Sequence, residues 1–382
     1  MKIKIKLIAA LLFLFSISAQ AQKNKLKVID THNDVISNQL TSGKDLAKNE
    51  GEQFDLVKAG KGKLTGQVFS IWSDETGNFK YANREIDSLY ALINRNPSKI
   101  KLARNSSEVE SIISDKKMAA LIGVEGGHMI DDNLDFIDSL QKRGMCYLTL
   151  TWNNSTSWAT SAADEVNKKD LPHKGLSDFG KQVITRLNIL GVMVDISHVG
   201  EQTFYDAISA STKPVIASHS SVFKLCPHQR NLKDDQLKAI AAKGGVVFVN
   251  FYSGFIDSTY NRKLQAFFKE HQAERDSLSK LYPQSQAEGV LLKKHPAEYE
   301  NMRPPLSLLV DHIDYIAKLI GVDHVGIGAD FEGAESYPKE LDDVSDYPKI
   351  FKELRKRGYS KSDIKKIANQ NFLRVLKANT GS

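Results

Sequence analysis

Two cysteines, Cys146 and Cys226, are all that this 382-residue chain contains. That number excludes a disulfide framework, even in an oxidising compartment. Cys146 lies in the strand-like run MCYLTLTW and reads as buried packing, whereas Cys226 falls in a loop. A strong charge of one sign is also missing. The 52 Lys and Arg against 46 Asp and Glu leave a formal +6, which falls to +3 once Lys2, Lys4 and Lys6 at the extreme N-terminus are set aside. So mild and scattered an excess argues against a nucleic-acid partner. No repeat at a solenoid period and no low-complexity block occurs. After the first 21 residues no apolar run is long enough to cross a bilayer.

The first 21 residues are a different matter. Three lysines precede an apolar stretch over 7–15, and Ala19-Gln20-Ala21 supplies small residues at the spacing a signal peptidase reads. The expectation is a signal peptide over 1–21, cleaved after Ala21, followed by one domain over 22–382. No cysteine follows the cleavage point, so no lipid anchor is expected there. The mature protein is expected in the periplasm or secreted, with no membrane span.

Short apolar runs then alternate with helical patterns. The strand candidates are 27–34, 66–73, 119–126, 146–152, 191–198, 214–220, 245–251 and 324–330. Several are apolar almost throughout, as parallel strands covered on both faces must be. Between them, GLSDFGKQVITRLNILG has Ser177 to cap a helix, Phe179, Val183, Leu187 and Leu190 on one face, and Gly191 to stop it. PPLSLLVDHIDYIAKLIG has Pro305 near its start and Gly321 at its end. Eight strands with helical crossovers give an α/β fold, a (β/α)8 TIM-type barrel. A doubly wound open sheet is the alternative, but no G-x-G-x-x-G follows the first strand. The charged, Gln-rich segment 252–304 is too long for a plain loop and reads as a partly helical insertion between strands 7 and 8 that caps the barrel mouth.

The reactive residues sort onto the ends of these runs. His32 and Asp34 end the first, Glu125 the third, His198 the fifth, His219 the sixth and Asp330 the eighth. In a barrel those carboxyl ends converge on one mouth, where active sites lie. Residues i and i+2 share a strand face, so His32 and Asp34 can point at one centre. Singly, each has a plain explanation: a strand running into a polar loop, a carboxylate before a Gly-Gly turn, a helix-capping histidine. Together they are metal-capable groups on separate strand ends, each following an apolar run, which burial alone would penalise. Three imidazoles and two carboxylates exceed what one tetrahedral zinc with an open position needs. They suit two ions about 3.5–4 Å apart sharing a carboxylate and a water. Zinc fits these donors best, with manganese, iron and cobalt also open. Asp330, outside that ligand count, is the natural proton shuttle.

The motifs DTHND, GVEGGH, YLTLTW, DISHVG, ASHSS, CPHQRN and GIGADFEG, in this order from about residue 27 onward, resemble the membrane dipeptidases, the renal dipeptidase-like zinc metallopeptidases. The resemblance implies a (β/α)8 barrel that hydrolyses dipeptides with two Zn2+ per chain. It implies that His32 and Asp34 bind one ion, Glu125 bridges, and His198 and His219 bind the other. It further implies proton transfer by Asp330, which also contacts substrate, pairing of Arg230 with the substrate's terminal carboxylate, and a homodimer. A clamp on the loop-bearing face is physically sensible for Arg230. His128 and His228 fall in the motifs and are read as supporting or loop residues; His173, His271, His295, His312 and His324 are read as helix, loop or strand-start residues. One departure stands out: Trp152 occupies the position where many members have a histidine that holds substrate and the developing oxyanion. Tryptophan offers one N–H donor and a stacking face but no charge, and Asn153 and Asn154 stand next to it as replacements. Two other readings remain: a barrel metal hydrolase of lactams, esters or phosphoesters, and a metal-retaining binding protein of weak activity.

Overall fold

The computed structural model describes residues 26–381; the expected signal peptide lies outside them. Nine strands occur among the described residues: β1 (Val28–Asp30), β2 (Leu64–Trp72), β3 (Ile100–Leu102), β4 (Met118–Glu125), β5 (Met145–Thr149), β6 (Met193–Asp195), β7 (Ile216–Ala217), β8 (Val246–Val249) and β9 (Val325–Ile327). All pairings between them are parallel. β2 pairs directly with β4, and β1 pairs with β9 through Asp30 and Ile327, so eight strands close into a ring with helices around it. This is the expected (β/α)8 barrel.

The additional strand is β3. It pairs with the first residues of β4, on the edge that β5 takes over further along. Three residues with a lysine before them and another in their middle carry too little periodicity to be read as a strand, and β4 supplies the pairing that creates it. β2 and β4 are as long as their apolar runs or longer, whereas β1, β5, β6, β7, β8 and β9 are shorter than theirs, because those runs continue into the loops at the barrel mouth. β4 is buried along its whole length, as a strand with a barrel interior on one face and helices on the other must be.

Sequence punctuation sets the helices. The Ser177 hydroxyl accepts the Gly180 N–H at 3.3 Å to start helix Asp178–Leu190, and Gly191 ends it at φ +73°. Helix Leu306–Ile320 runs between Pro305 and Gly321, burying Leu309, Val310, Ile313 and Ile316. Each such side chain removed from water contributes about 1.5–3 kcal/mol. Both cysteines are buried and unpaired. Cys226 Sγ lies 3.5 Å from the Gly254 carbonyl, and burial pushes its thiol up to about 11.

The segment after β8 is an insertion of five helices: Ser253–Ile256, Tyr260–Glu270, Gln272–Ser279, Gln284–Lys294 and Pro296–Met302. It has a small core of its own, built from Tyr260, Leu264, Phe267, Phe268, Leu291, Leu292 and Met302. It is tied to the loop that follows β9. The Tyr299 hydroxyl donates to the Glu335 carbonyl at 3.0 Å, and Arg303 Nε to the Tyr337 carbonyl at 2.8 Å. The insertion therefore rests on the side of the barrel where the strands end.

Candidate metal centre

The barrel places the reactive side chains just past its strands. Glu125 is the last residue of β4, while His32, His198, His219 and Asp330 lie two or three residues beyond β1, β6, β7 and β9. Asn33 continues the pairing of β1 by bridging to Phe331, and Asp34 then takes the position before helix Val35–Ser42, its carboxylate left free of capping. His32 and Asp34 therefore fall on the same side, with Nε2 of one 3.6 Å from Oδ1 of the other. His198 and Asp330 adopt φ of +67° and +62°. L-residues rarely adopt that region, and they do so mostly where the surroundings fix a side chain for use.

Five sequence-assigned donors converge. Glu125 Oε2 is 3.3 Å from His32 Nε2, and its Oε1 is 2.9 Å from His198 Nε2 and 3.4 Å from His219 Nε2. Asp330 Oδ1 lies 3.8 Å from His32 Nε2 on the Asp34 side. Glu125 thus stands between a pair formed by His32 and Asp34 and a pair formed by His198 and His219.

The hydrogen bonds behind the imidazoles decide which nitrogen faces the centre. The single proton of the Tyr147 hydroxyl goes to the Thr31 carbonyl at 3.1 Å, so the oxygen accepts from His32 Nδ1–H at 2.8 Å. The Ser218 hydroxyl donates to Asp195 Oδ2 at 2.6 Å and accepts from His219 Nδ1–H at 2.8 Å. His198 Nδ1–H donates to Asn153 Oδ1 at 3.1 Å. In all three rings the bare Nε2 is then the atom turned inward. His198 Nε2 and His219 Nε2 lie only 2.9 Å apart. Two lone pairs at that distance, beside a carboxylate, repel unless a cation lies among them.

Further details fit metal ions. His32 Nε2 and Asp34 Oδ1 are buried without a hydrogen-bond partner. Gly333 leaves the space above the two aspartates open: a Cβ there would lie 2.2 Å from Asp330 Oδ1 and 2.3 Å from Asp34 Oδ2. Gly123, inside β4, makes room for the Tyr147 ring in the same way, at 2.0 Å from Cζ.

The rim carries the remaining assigned residues. Asn250 Nδ2 donates to Asp330 Oδ2 at 2.9 Å, and burial pushes the Asp330 carboxyl up to about 7. Arg230 is buried against the Phe255 ring, 5.5 Å from its centroid, and Nη2 reaches the His219 carbonyl at 3.4 Å. Burial lowers its guanidinium to about 10, which leaves it cationic at neutral pH. A cavity of about 230 Å³ opens beside His198, Ser220 and Arg230.

Trp152 packs edge-on against Trp72 at 5.2 Å. Asn153, beside it, is committed to holding His198 rather than facing a substrate. His228 accepts the Arg230 N–H at 3.2 Å and supports that loop, and His312 ties the Val222 N–H to the Ile256 carbonyl. Sequence reading missed Tyr147, Asp195, Ser218 and Asn250. Tyr147 and Ser218 stand in the motifs YLTLTW and ASHSS, so the ring partners of His32 and His219 were within sight, and Asp195, in DISHVG, holds Ser218.

A parallel barrel whose mouth gathers imidazoles and carboxylates is the architecture of a metal-dependent hydrolase. The chain belongs to the membrane dipeptidase family, peptidase family M19, whose sequence model matches residues 18–381. A dipeptidase of Schizosaccharomyces pombe, itself uncharacterized, is 32% identical over 375 residues, covering 92% of this chain and 80% of the yeast protein. Among solved structures, the probable dipeptidase PvdM from Pseudomonas aeruginosa superposes with a TM-score of 0.78 at 26% identity, covering 95% of this chain and 98% of that one. A metallopeptidase from Rhodobacter sphaeroides, liganded with a phosphinate mimic of L-Ala-D-Ala, shares the fold with a TM-score of 0.76 at 22% identity, over 93% and 100% of the two chains. The protein is a metallopeptidase of the dipeptidase type.

Proposed function

We propose that this protein is an exported dipeptidase working with two zinc ions. His32 and Asp34 would hold one ion, His198 and His219 the other, and Glu125 would bridge them. The observation that carries this reading is the inward turn of three bare Nε2 atoms around one carboxylate. Bound there, such ions supply Lewis acidity toward the scissile carbonyl and an activated water.

The chain's own residues do the rest. Arg230 pairs with the terminal carboxylate of a dipeptide, and that pairing fixes the distance from the carboxylate to the peptide bond. A longer peptide places no carboxylate there. Asp330, held through Oδ2 by Asn250, keeps Oδ1 free to take a proton and deliver it to the departing amine. Trp72 and Trp152 supply an apolar wall near the mouth in place of a charged donor. Export rests on the sequence pattern over 1–21 alone, which defines the rest as one mature domain. A homodimer is the assembly that the family resemblance favours.

The test is a panel of substrates on zinc-loaded full-length protein: L,L and L,D dipeptides including L-Ala-D-Ala, tripeptides, N-blocked dipeptides, lactams and phosphoesters. Dipeptide hydrolysis that a chelator abolishes and zinc restores is the expected result. Turnover confined to lactams or phosphoesters would reassign the substrate class. Full zinc occupancy without any turnover would make it a binding protein.

A further inference from the structure

The insertion contains a short motif twice. His271-Gln272-Ala273-Glu274 and His295-Pro296-Ala297-Glu298 both read H-x-A-E. In each, the histidine precedes the first turn of a helix, Gln272–Ser279 in one case and Pro296–Met302 in the other, and the glutamate follows within that turn. The two copies meet. The imidazole centroids lie 3.9 Å apart, over the edge of the Phe267 ring. Their ion pairs cross between copies: His295 Nε2 is 2.9 Å from Glu274 Oε2, and His271 Nε2 is 3.1 Å from Glu298 Oε2. Donor atoms of His271, Glu274 and His295 all lie within 4.8 Å of one another.

We propose that this junction is a second, structural metal site. It takes a divalent cation of zinc type, held by one nitrogen each of His271 and His295 and by a Glu274 carboxylate oxygen. Mixed imidazole and carboxylate donors at this spacing are the set zinc prefers, with water completing the tetrahedron. Glu298 lies within hydrogen-bond distance of both imidazoles, 3.3 Å from His295 Nδ1 as well as 3.1 Å from His271 Nε2. It is the carboxylate that orients the rings, as such partners do around zinc. Lys294 pairs with Glu274 through Oε1 and leaves Oε2 turned toward His295. Glu270 approaches His271 and Glu298 from the solvent side.

A metal-free reading of the same geometry is an ion-pair cluster. It requires His295, which faces a glutamate with each nitrogen, to be an imidazolium tilted at 40° against a second imidazole 3.9 Å away. One cation relieves that arrangement and joins two helical pairs that are otherwise held by a small core. The bond has a consequence at the barrel. Helix Pro296–Met302 carries Tyr299, and Arg303 follows it; both hold the loop 335–337, where the Tyr337 hydroxyl donates to the Asp330 carbonyl at 2.7 Å. An ion at the junction braces the loop that positions Asp330.

The experiment compares metal content by difference and so does not depend on how the barrel site fills. Full-length wild type, an E274Q variant and an H271A/H295A variant are stripped with a chelator, dialysed against dilute zinc and analysed for bound metal. Wild type should retain about one zinc ion per chain more than the double variant, with weakened retention in E274Q. Zinc should also protect the insertion from limited proteolysis in wild type and fail to do so in the double variant. Equal zinc content in all three, with equal protection, overturns the site and leaves an ion-pair cluster.

Discussion

Tyr147 Oη lies 2.8 Å from His32 Nδ1, and because its own proton is given to the Thr31 carbonyl it can only accept from that ring. A neutral phenol, buried and with its ionisation pushed well above the ordinary range, thus sets the tautomer of a histidine in the proposed metal centre. Tyr147→Phe keeps the ring that fills the space over Gly123 and removes this acceptor. Metal affinity at the barrel site should fall about 10–100-fold, with stability lowered by only about 1 kcal/mol. Competition titration against a fluorescent zinc chelator measures the first quantity and urea unfolding the second. Unchanged affinity would rule out the tautomer argument.

Asp330→Asn retains the shape and the neighbouring donor Asn250 but cannot take up a proton. Turnover of dipeptides should fall about 10²–10⁴-fold, while bound metal stays at the wild-type amount. A variant as active as wild type removes Asp330 from proton transfer.

Arg230→Lys leaves a charge but loses the planar fork. The value of kcat/KM for dipeptides should drop about 10–100-fold, the loss of one charge-assisted hydrogen bond. Dipeptide amides, which lack the carboxylate, should be poor substrates for wild type and equally poor for the variant. If wild type hydrolyses the amides as fast as the acids, Arg230 does not read the terminus.

Glu85 sits on the buried face of helix Phe79–Arg95, beside Ala82, Ile86, Leu89 and Leu92. Burial pushes its carboxyl well above the ordinary 4.5, and the nearby Asp34 and Glu125 push in the same direction. In the metal-free protein the folded state keeps this proton at pH values where the unfolded chain releases it. Stability from this group is therefore complete below 4.5 and is lost as pH rises toward the folded value, at no more than about 1.4 kcal/mol per pH unit. Glu85→Gln cannot ionise, so the chelated variant should lose stability less steeply between about pH 5 and pH 8. Urea midpoints across that range decide it; parallel slopes for the two proteins contradict the assignment.

The barrel was legible because its information is local. Parallel strands buried on both faces must be apolar nearly throughout, and helices between them must cap, turn and stop, so GVMVDISH and the span from Ser177 to Gly191 announce themselves in sequence. The cluster of imidazoles and carboxylates was legible for a related reason: polar groups at the ends of buried runs are expensive unless used, and barrel topology brings all such ends together. Other features depended on neighbours distant in the chain. β3 exists because β4 offers it a pairing edge, and it carries almost no pattern of its own. The direction each imidazole faces is set by Tyr147 in β5 and by Ser218 and Asn153 on separate loops, through hydrogen bonds that no spacing encodes. Likewise His271 and His295, 24 positions apart and unremarkable as helix and loop residues, meet only because two helical pairs of the insertion fold together. The sequence by itself determined the eight strands of the barrel, the helices between them and which end of the barrel is reactive. Tertiary structure decided which atom of each residue faces the centre, because that choice lies in contacts between strands and loops remote from one another.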